Sequence, residues 1–586
     1  MKPSPTGRHV VAITILAAVS AAIGAMAWYD RQLTDEQVNV ATNVIRATQP
    51  DLYRQDPVFG SSGLWRFNSP AWQWYLQQVY RASGAADKPA EQWTSDDVLP
   101  AFRILVGPLT LIYLAGMYLL LWQQCHSWSV ACYTAILSMA MIFVPGGSFW
   151  GLGPLSSMAP STVVLAFVPL LVWAMLRWTN SPAILWVFFA AGLLANLQAV
   201  TGMNFVLVLA LTYLGYQRWR PRAWGMALLG GLIALAAASP YLWHFASLRL
   251  ALSTGSGANW PAVALAFQQG DLTVLYPDML DDALEFLAYT LVLWIPAVVV
   301  ILRAERFRVQ NFRVWVWMLA ACLTVGLALH GLSQVAGILR GSPPPIIDFV
   351  HALRFTLLPL YVLFAQGIVH LVRLGVAGRM MQIALGVLMV VWMLLAINLR
   401  IPRQWIEDAV ASRMTEDARP ESVQARKIRR QREGEMRAIT DWLRTQTPRD
   451  TVVACQDLRL RLWAQRSLVA SRADVKYMYY LAPGQLKAWS DLVDAQRRVL
   501  TPRLGQPADL AEITRFAWEH AANYVVLQGA DSSAGADSRL WVQPPDSAWG
   551  AYWRLYRVPA PGSPEALRAT TSTSTTSSPD TRDASR

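Results

Sequence analysis

Three groups of ionisable residues in this chain of 586 residues have the types and spacing to do chemistry. Asp35 and Glu36 directly follow Thr34. A threonine in that position can cap a helix, leaving the two carboxylates in a first turn whose free N–H groups favour the anion. An ionised carboxylate placed there can take a proton from an acceptor hydroxyl or amine. It can equally hold a divalent cation, Mg²⁺ or Mn²⁺, against a phosphate. Asp56, in the stretch Asp51-Leu52-Tyr53-Arg54-Gln55-Asp56-Pro57, is a second candidate acid, although an aspartate before proline is as readily a turn former. His351 and Arg354, in His351-Ala352-Leu353-Arg354-Phe355, make the third group. A guanidinium fork suits a phosphate, and the same side chain at an interface reaches for lipid headgroups.

Other polar residues have plainer readings. His126 and His330 stand without a second ligand three or four positions on and read as satisfied interfacial histidines. Asn196, Gln198 and Asn204 suit hydrogen bonds between helices. Arg103 can face either a cleft or the headgroups. Cys455 is alone in the polar C-terminal region, so no disulfide framework forms there. The chain has no GxxxxGK[ST] loop, GxGxxG fingerprint, HExxH or GxSxG. Nucleotide-driven transport, dinucleotide chemistry, zinc proteolysis and hydrolase-type acyl transfer therefore lack local support.

The elements that must position these residues are membrane helices. Hydrophobic residues make up 54% of the chain and charged residues 15%, against about 25% in an ordinary soluble domain. That balance excludes disorder and argues against a water-soluble globule. Eleven apolar segments are expected to span a bilayer: Val10 to Trp28, Ile104 to Trp122, Val130 to Val144, Thr162 to Leu176, Ile184 to Leu197, Phe205 to Tyr216, Trp224 to Ala238, Leu287 to Leu302, Val314 to Leu329, Phe355 to Leu371 and Ile383 to Leu399. The first reads as a retained helix, given the many apolar spans that come after it.

Fifty Lys and Arg against 38 Asp and Glu give +12, and the basic residues crowd alternate short loops: Arg218, Arg220 and Arg222, then Arg303, Arg306, Arg308 and Arg313. The excess is thus a topological signal of a cytoplasmic N-terminus, not a sign of nucleic-acid binding. An odd number of crossings exports the C-terminus. The expected organisation is a mainly α, polytopic bundle over 1–400 with a first extracytoplasmic loop at 29–103, a small extracytoplasmic α/β domain at 401–559, and a disordered Ser/Thr/Pro-rich tail at 560–586. Two helices are expected in the first loop, one opening at Thr34 and one at Ser69-Pro70 with Trp72, Leu76 and Val79 on one face. Two further outer segments, Tyr241 to Phe286 with its acidic cluster and Gln334 to Arg354 with Pro343, Pro344 and Pro345, could wall a cleft.

This pattern resembles the GT-C superfamily of polytopic glycosyltransferases, which use polyprenyl-phosphate sugars on the extracytoplasmic face. The resemblance rests on Thr34-Asp35-Glu36-Gln37 after the first span, a second juxtamembrane helix and a helical bundle. It is also similar to a bacterial branch with a stretch like Pro50 to Pro57, an Arg-Phe like Arg354-Phe355, and an exported domain. Echoes of that domain are Asp441-Trp442-Leu443-Arg444, Arg466-Ser467-Leu468-Val469, Asn523-Tyr524-Val525-Val526 and Trp553 to Val558. The resemblance implies a multi-pass protein of the bacterial inner membrane that transfers a sugar, with inversion, from a polyprenyl-phosphate donor to an extracytoplasmic glycan, lipid or protein. It implies Asp35 as the acceptor-activating carboxylate, Glu36 or Asp56 assisting, and Arg354 with His351 on the departing phosphate. No well-separated acidic pair matches the metal-binding pair of the oligosaccharyltransferase members, which leaves metal use open. The alternative from another class is a non-catalytic scaffold whose exported domain binds a partner. Transport is disfavoured by the scarcity of charges within the spans.

Overall fold

Long apolar runs favour helices because a helix closes its own backbone hydrogen bonds, and in lipid nothing else would. The computed structural model describes residues 5–29, 32–60, 62–89, 92–145, 148–152, 158–252, 276–303, 305, 311–340, 348–373, 379–415, 419–501, 509–528, 540–542 and 548–563. Asp271, the prolines at 343–345 and the tail beyond 563 lie outside them. The chain divides into two compact units. Unit 1 comprises Met1–Gln37, Phe67–Tyr80 and Val98–Val410; unit 2 comprises Val38–Arg66, Arg81–Asp97 and Ala411–Arg586. Much of the first loop therefore clusters with the C-terminal region.

Unit 1 is built from α1 (Pro5–Ala27), the start of α2 (Asp35–Thr48), α3 (Pro70–Ala82), α4 (Val106–Cys125), α5 (Trp128–Leu137), α6 (Pro160–Trp178), α7 (Ile184–Ala195), α8 (Ala199–Tyr216), α9 (Pro221–Leu252), α10 (Tyr276–Leu302), α11 (Phe312–Leu323), α12 (His330–Arg340), α13 (Leu357–Arg373), α14 (Arg379–Leu395) and α15 (Arg400–Ala411). Among the described residues, eight helical stretches are long and apolar enough to cross a membrane: those built on α1, α4, α6, α8, α9, α10, α11 running into α12, and α13. The apolar helices α5, α7 and α14 are shorter. Each expected span thus contains a helix. Close packing is set by small residues: a side chain at Gly192 of α7 would collide with the backbone of Ala234 in α9.

One expected span is not a single helix. Within Val130 to Val144, α5 ends at Leu137, and Ile142–Val144 (β1) pairs antiparallel with Ser148–Trp150 (β2). The β-branched ends of β1 and the Pro145-Gly146-Gly147 stretch after it favour a hairpin over helical continuation. Asn398, 1% exposed, takes up the backbone groups that this break frees. Its Nδ2 donates to Met139 O at 2.8 Å and Leu152 O at 2.7 Å, and its Oδ1 accepts from Met141 N at 3.0 Å.

Unit 2 contains α16 (Glu421–Gln446), β3 (Val452–Ala454), α17 (Arg459–Ala464), β4 (Ser467–Leu468), α18 (Val475–Leu481), α19 (Leu486–Leu500), α20 (Leu510–Glu519), β5 (Tyr524–Gln528) and β6 (Trp553–Arg557). The sheet order is β4-β3-β5-β6, with β3 parallel to both neighbours and β6 antiparallel to β5. Residues of β3 are buried throughout, as a central parallel strand covered on both faces requires. Val452, Ala454, Ile513, Phe516, Val525, Leu527 and Tyr556 share one core. Glu435 of α16 fixes β6 by accepting from the N–H groups of Gly550, Tyr552 and Trp553 at 3.2, 2.9 and 3.1 Å.

Candidate functional site

Thr34 opens α2 as a capping box. Its hydroxyl accepts from Gln37 N at 3.3 Å, and its own N–H donates to Gln37 Oε1 at 3.2 Å. Asp35 and Glu36 occupy the first turn and are both exposed. Gln37 is buried and donates through Nε2 to Met158 O at 3.2 Å, which ties the start of α2 to the loop before α6. Ser69 caps α3 by a single bond, accepting from Trp72 N at 3.3 Å, and α3 buries Trp72, Gln73, Leu76 and Tyr80, with Val79 half-buried beside them. Arg103 is buried and donates to Gln32 O at 3.0 Å, so it faces the protein.

The second half of the site lies on a 3₁₀ helix, Phe349–Thr356, that leads into α13. With three residues per turn, positions i and i+3 eclipse. Asp348, His351 and Arg354 therefore line one edge. His351 Nε2 lies 3.2 Å from Asp348 Oδ2, and its Nδ1 lies 2.6 Å from Arg354 Nη2. A guanidinium only donates, so Nδ1 must accept and the ring proton must sit on Nε2, pointed at Asp348. Arg354 Nε donates to His351 O at 3.2 Å, and Nη1 approaches Thr201 Oγ1 at 3.5 Å.

Two further residues brace Asp348. His330 Nδ1 stands 3.6 Å from Asp348 Oδ1, while His330 Nε2 meets Gln334 Nε2 at 2.9 Å. Asn204 donates to Asp348 O at 2.7 Å. Burial pushes the Asp348 carboxyl upward, but His351, His330 and the Val350 N–H outweigh it and hold the group below the usual carboxylate value. A π-helical stretch, Thr324–Leu329, precedes His330 and packs close to the 3₁₀ helix. A Cβ at Gly326 would come within 2.6 Å of the Leu353 side chain, which would have to shift to admit it. Such wide turns recur at functional sites.

Arg354 is 4% exposed, and among the described residues it forms no direct ion pair. Its hydrogen-bond partners are a carbonyl, an imidazole nitrogen and a hydroxyl. The negative charges acting on it are Asp348 and Glu36. Three of its five N–H donors are engaged, which leaves two for an anion. A buried guanidinium without a bound carboxylate is expensive in free energy and is characteristic of an anion site. Of the sequence-derived candidates, His351 is in direct contact with Arg354, and Glu36, in the same unit, acts on Arg354 through its charge. Asp348, His330, Thr201 and Asn204 join them. The signal for Asp348 was its spacing of three from His351, which puts the two side chains on one side of the chain in a 3₁₀ or an α-helix.

Asp56 belongs to a different constellation, within unit 2. Its Oδ1 accepts from Val58 N and Phe59 N, both at 3.0 Å, which is the turn expected before proline. Its Oδ2 accepts from Arg461 Nε at 2.8 Å and Leu468 N at 3.1 Å. With four donors on two oxygens, no lone pair remains to take a substrate proton. Arg461 also forks onto Asp474 at 2.9 and 2.8 Å and lies 4.7 Å from the centre of the Phe59 ring. All three charged side chains are fully buried. Burial disfavours the charge on Arg461, yet Asp474 and then Asp56 more than offset it and raise its pKa. Burial pushes the Asp474 carboxyl up against the pull of Arg461. Nearby, Arg466 donates to the carbonyls of Arg444, Thr447, Ala464 and Gln465, closing the ends of α16 and α17, and burial lowers it to about 10.

Among the described residues no three His, Cys, Asp or Glu side chains gather as a metal-ligand set. Compared with known proteins, the chain matches no family model and no curated sequence.

Proposed function

We propose that the protein is a multi-pass inner-membrane glycosyltransferase of the GT-C type that moves a sugar from a polyprenyl phosphate to an extracytoplasmic acceptor. The observation that carries this reading is Arg354, a buried guanidinium with two unspent donors, held by His351 and under the charge of Glu36. That fork fits a phosphate as it fits a carboxylate, and the resemblance of the first loop to lipid-phosphate-sugar transferases favours the phosphate. In the proposed reaction Glu36, with Asp35 beside it, accepts the proton of the attacking acceptor hydroxyl or amine. The acceptor atom forms a bond to the anomeric carbon on the face opposite the phosphate. The carbon–oxygen bond to the phosphate breaks, its electron pair stays on the phosphate oxygen, and Arg354 stabilises that charge.

The topology proposed with it has eleven crossings, a cytoplasmic N-terminus and an exported unit 2. Eight crossings use the long helices and three use α5, α7 and α14. At ten residues α5 is about 15 Å long, half the hydrocarbon thickness. The β1–β2 hairpin would complete that crossing with its backbone satisfied by Asn398.

Mass spectrometry of lipid-linked sugars and surface glycans, with and without the gene, tests the reading. Loss of one glycan with accumulation of its polyprenyl-phosphate sugar is expected, and Glu36→Gln and Arg354→Ala should reproduce it. Unchanged glycans and lipid pools in the deletion would overturn the assignment.

A further inference from the structure

A polar cavity lies in unit 1 where α6 meets the turn to α7 and α8 meets α9. It measures about 180 Å³, and its walls include Thr179, Asn180, Tyr213, Gln217, Arg220 and Arg222. Gln217 holds the walls together, donating through Nε2 to Thr179 O at 3.2 Å and Asn180 Oδ1 at 3.1 Å. Those bonds leave the cations and the phenol uncommitted. Among the described residues neither Arg220 nor Arg222 forms an ion pair. Tyr213, 5% exposed, likewise has no hydrogen-bond partner for its hydroxyl among them. Arg222 is close enough to act electrostatically on that phenol. Two exposed guanidinium groups flanking Pro221, without ion-pair partners among the described residues, and the Tyr213 O–H beside them describe a receptor for a tetrahedral oxyanion.

The surroundings point to a phosphate that carries acyl chains. Trp219 and Trp224 pair with ring centroids 5.7 Å apart at the cavity's edge, as indoles do at a membrane–water interface. Met226 lines the cavity, and the same helix continues from it with Leu228, Leu229, Leu232 and Leu235, which are 63, 45, 64 and 45% exposed. A headgroup seated on the arginines would send its chains down this leucine face. We infer that Arg220, Arg222 and Tyr213 form a binding site for the headgroup phosphate of an anionic glycerophospholipid. Basic pockets between membrane helices hold such headgroups through the same combination of charge and apolar wall.

The test uses the full-length chain, stripped of lipid in neutral detergent and returned to nanodiscs of phosphatidylcholine with or without phosphatidylglycerol. Native mass spectrometry should find one phosphatidylglycerol retained per chain, and the thermal midpoint should rise with it. Arg220→Gln with Arg222→Gln should weaken retention by about tenfold or more, as expected for losing two interfacial cations. Tyr213→Phe, which keeps the packing, should weaken it by a few fold. Equal retention by the arginine double variant and the parent would overturn the site. A midpoint raised as far by inorganic phosphate alone would assign the site to free phosphate and overturn the lipid.

Discussion

Arg354 donates through Nη2 to Nδ1 of His351 across 2.6 Å, and that one contact fixes where the imidazole carries its proton. With Nδ1 accepting, Nε2–H points to Asp348, so the three residues form one directed chain from carboxylate to guanidinium. Nitrogen-15 spectra of the histidine-labelled protein should show His351 as the Nε2–H tautomer, and Arg354→Ala should abolish that preference. A protonated Nδ1 in the parent protein would contradict the arrangement.

Replacing Arg354 by lysine keeps the charge and loses the fork. Lysine cannot hold the His351 carbonyl, the imidazole and an anion with fixed geometry at once. Transfer in Arg354→Lys should fall by about 10² to 10³, the scale of losing one oriented donor to a developing oxyanion. Comparing Glu36→Gln with Asp35→Asn separates the two acids, and Glu36 should be the more damaging since its charge acts on Arg354. Parent-level turnover in both acid variants would remove the carboxylate from the mechanism.

Asp348 supplies a pH signature. Its folded-state value lies below the ordinary carboxylate value, so it contributes stability that is present above the unfolded-state value, about pH 4, and is lost as pH falls through the folded value. The thermal midpoint should therefore decline in acid, and Asp348→Asn should flatten that limb while lowering the neutral-pH midpoint. An acid limb identical in both proteins would show that Asp348 is not held as described.

The sequence made some of this legible and hid the rest for physical reasons. The capping box at Thr34 and the anion-ready Arg354 are local features, written in the residues beside them. The edge shared by Asp348, His351 and Arg354 depends on a 3₁₀ backbone, and a helix of 3.6 residues per turn would have splayed it. His330 reads as isolated because its partner Asp348 comes from another turn of chain. Asp56 and Arg461, 405 positions apart, can be paired only by the fold. The same holds for the break after α5, where the rescuing Asn398 lies more than 240 positions from the carbonyl it caps at Leu152.

The buried Asp56–Arg461–Asp474 cluster predicts an unusual substitution pattern. All four positions on the Asp56 oxygens face donors. An asparagine would set its NH₂ against two N–H groups in either orientation. Asp56→Asn should therefore destabilise about as much as Asp56→Ala, by about 3–5 kcal/mol, the scale of breaking a buried ion pair. Denaturant unfolding measures it, and transfer per folded molecule should hold. A stably folded but inactive Asp56→Asn protein would return this residue to the reaction.

Asn398 offers the sharpest test of the broken span. One side chain satisfies two carbonyls and one N–H of the segment between α5 and β2, all buried. Asn398→Leu keeps the branched shape with no hydrogen-bonding capacity, so Leu152 O and Met141 N lose their partners together, while Met139 O keeps only the bond from Leu152 N at 3.1 Å. At about 1–3 kcal/mol for each unsatisfied buried group, the loss should exceed that of an ordinary core substitution and lower the thermal midpoint in detergent. Asn398→Asp should recover only part of it, because a carboxylate accepts from Met141 N but cannot donate to Met139 or Leu152. If Asn398→Leu matched the parent, the hairpin would have to find its hydrogen bonds elsewhere, and α5 could not complete a crossing in the manner proposed.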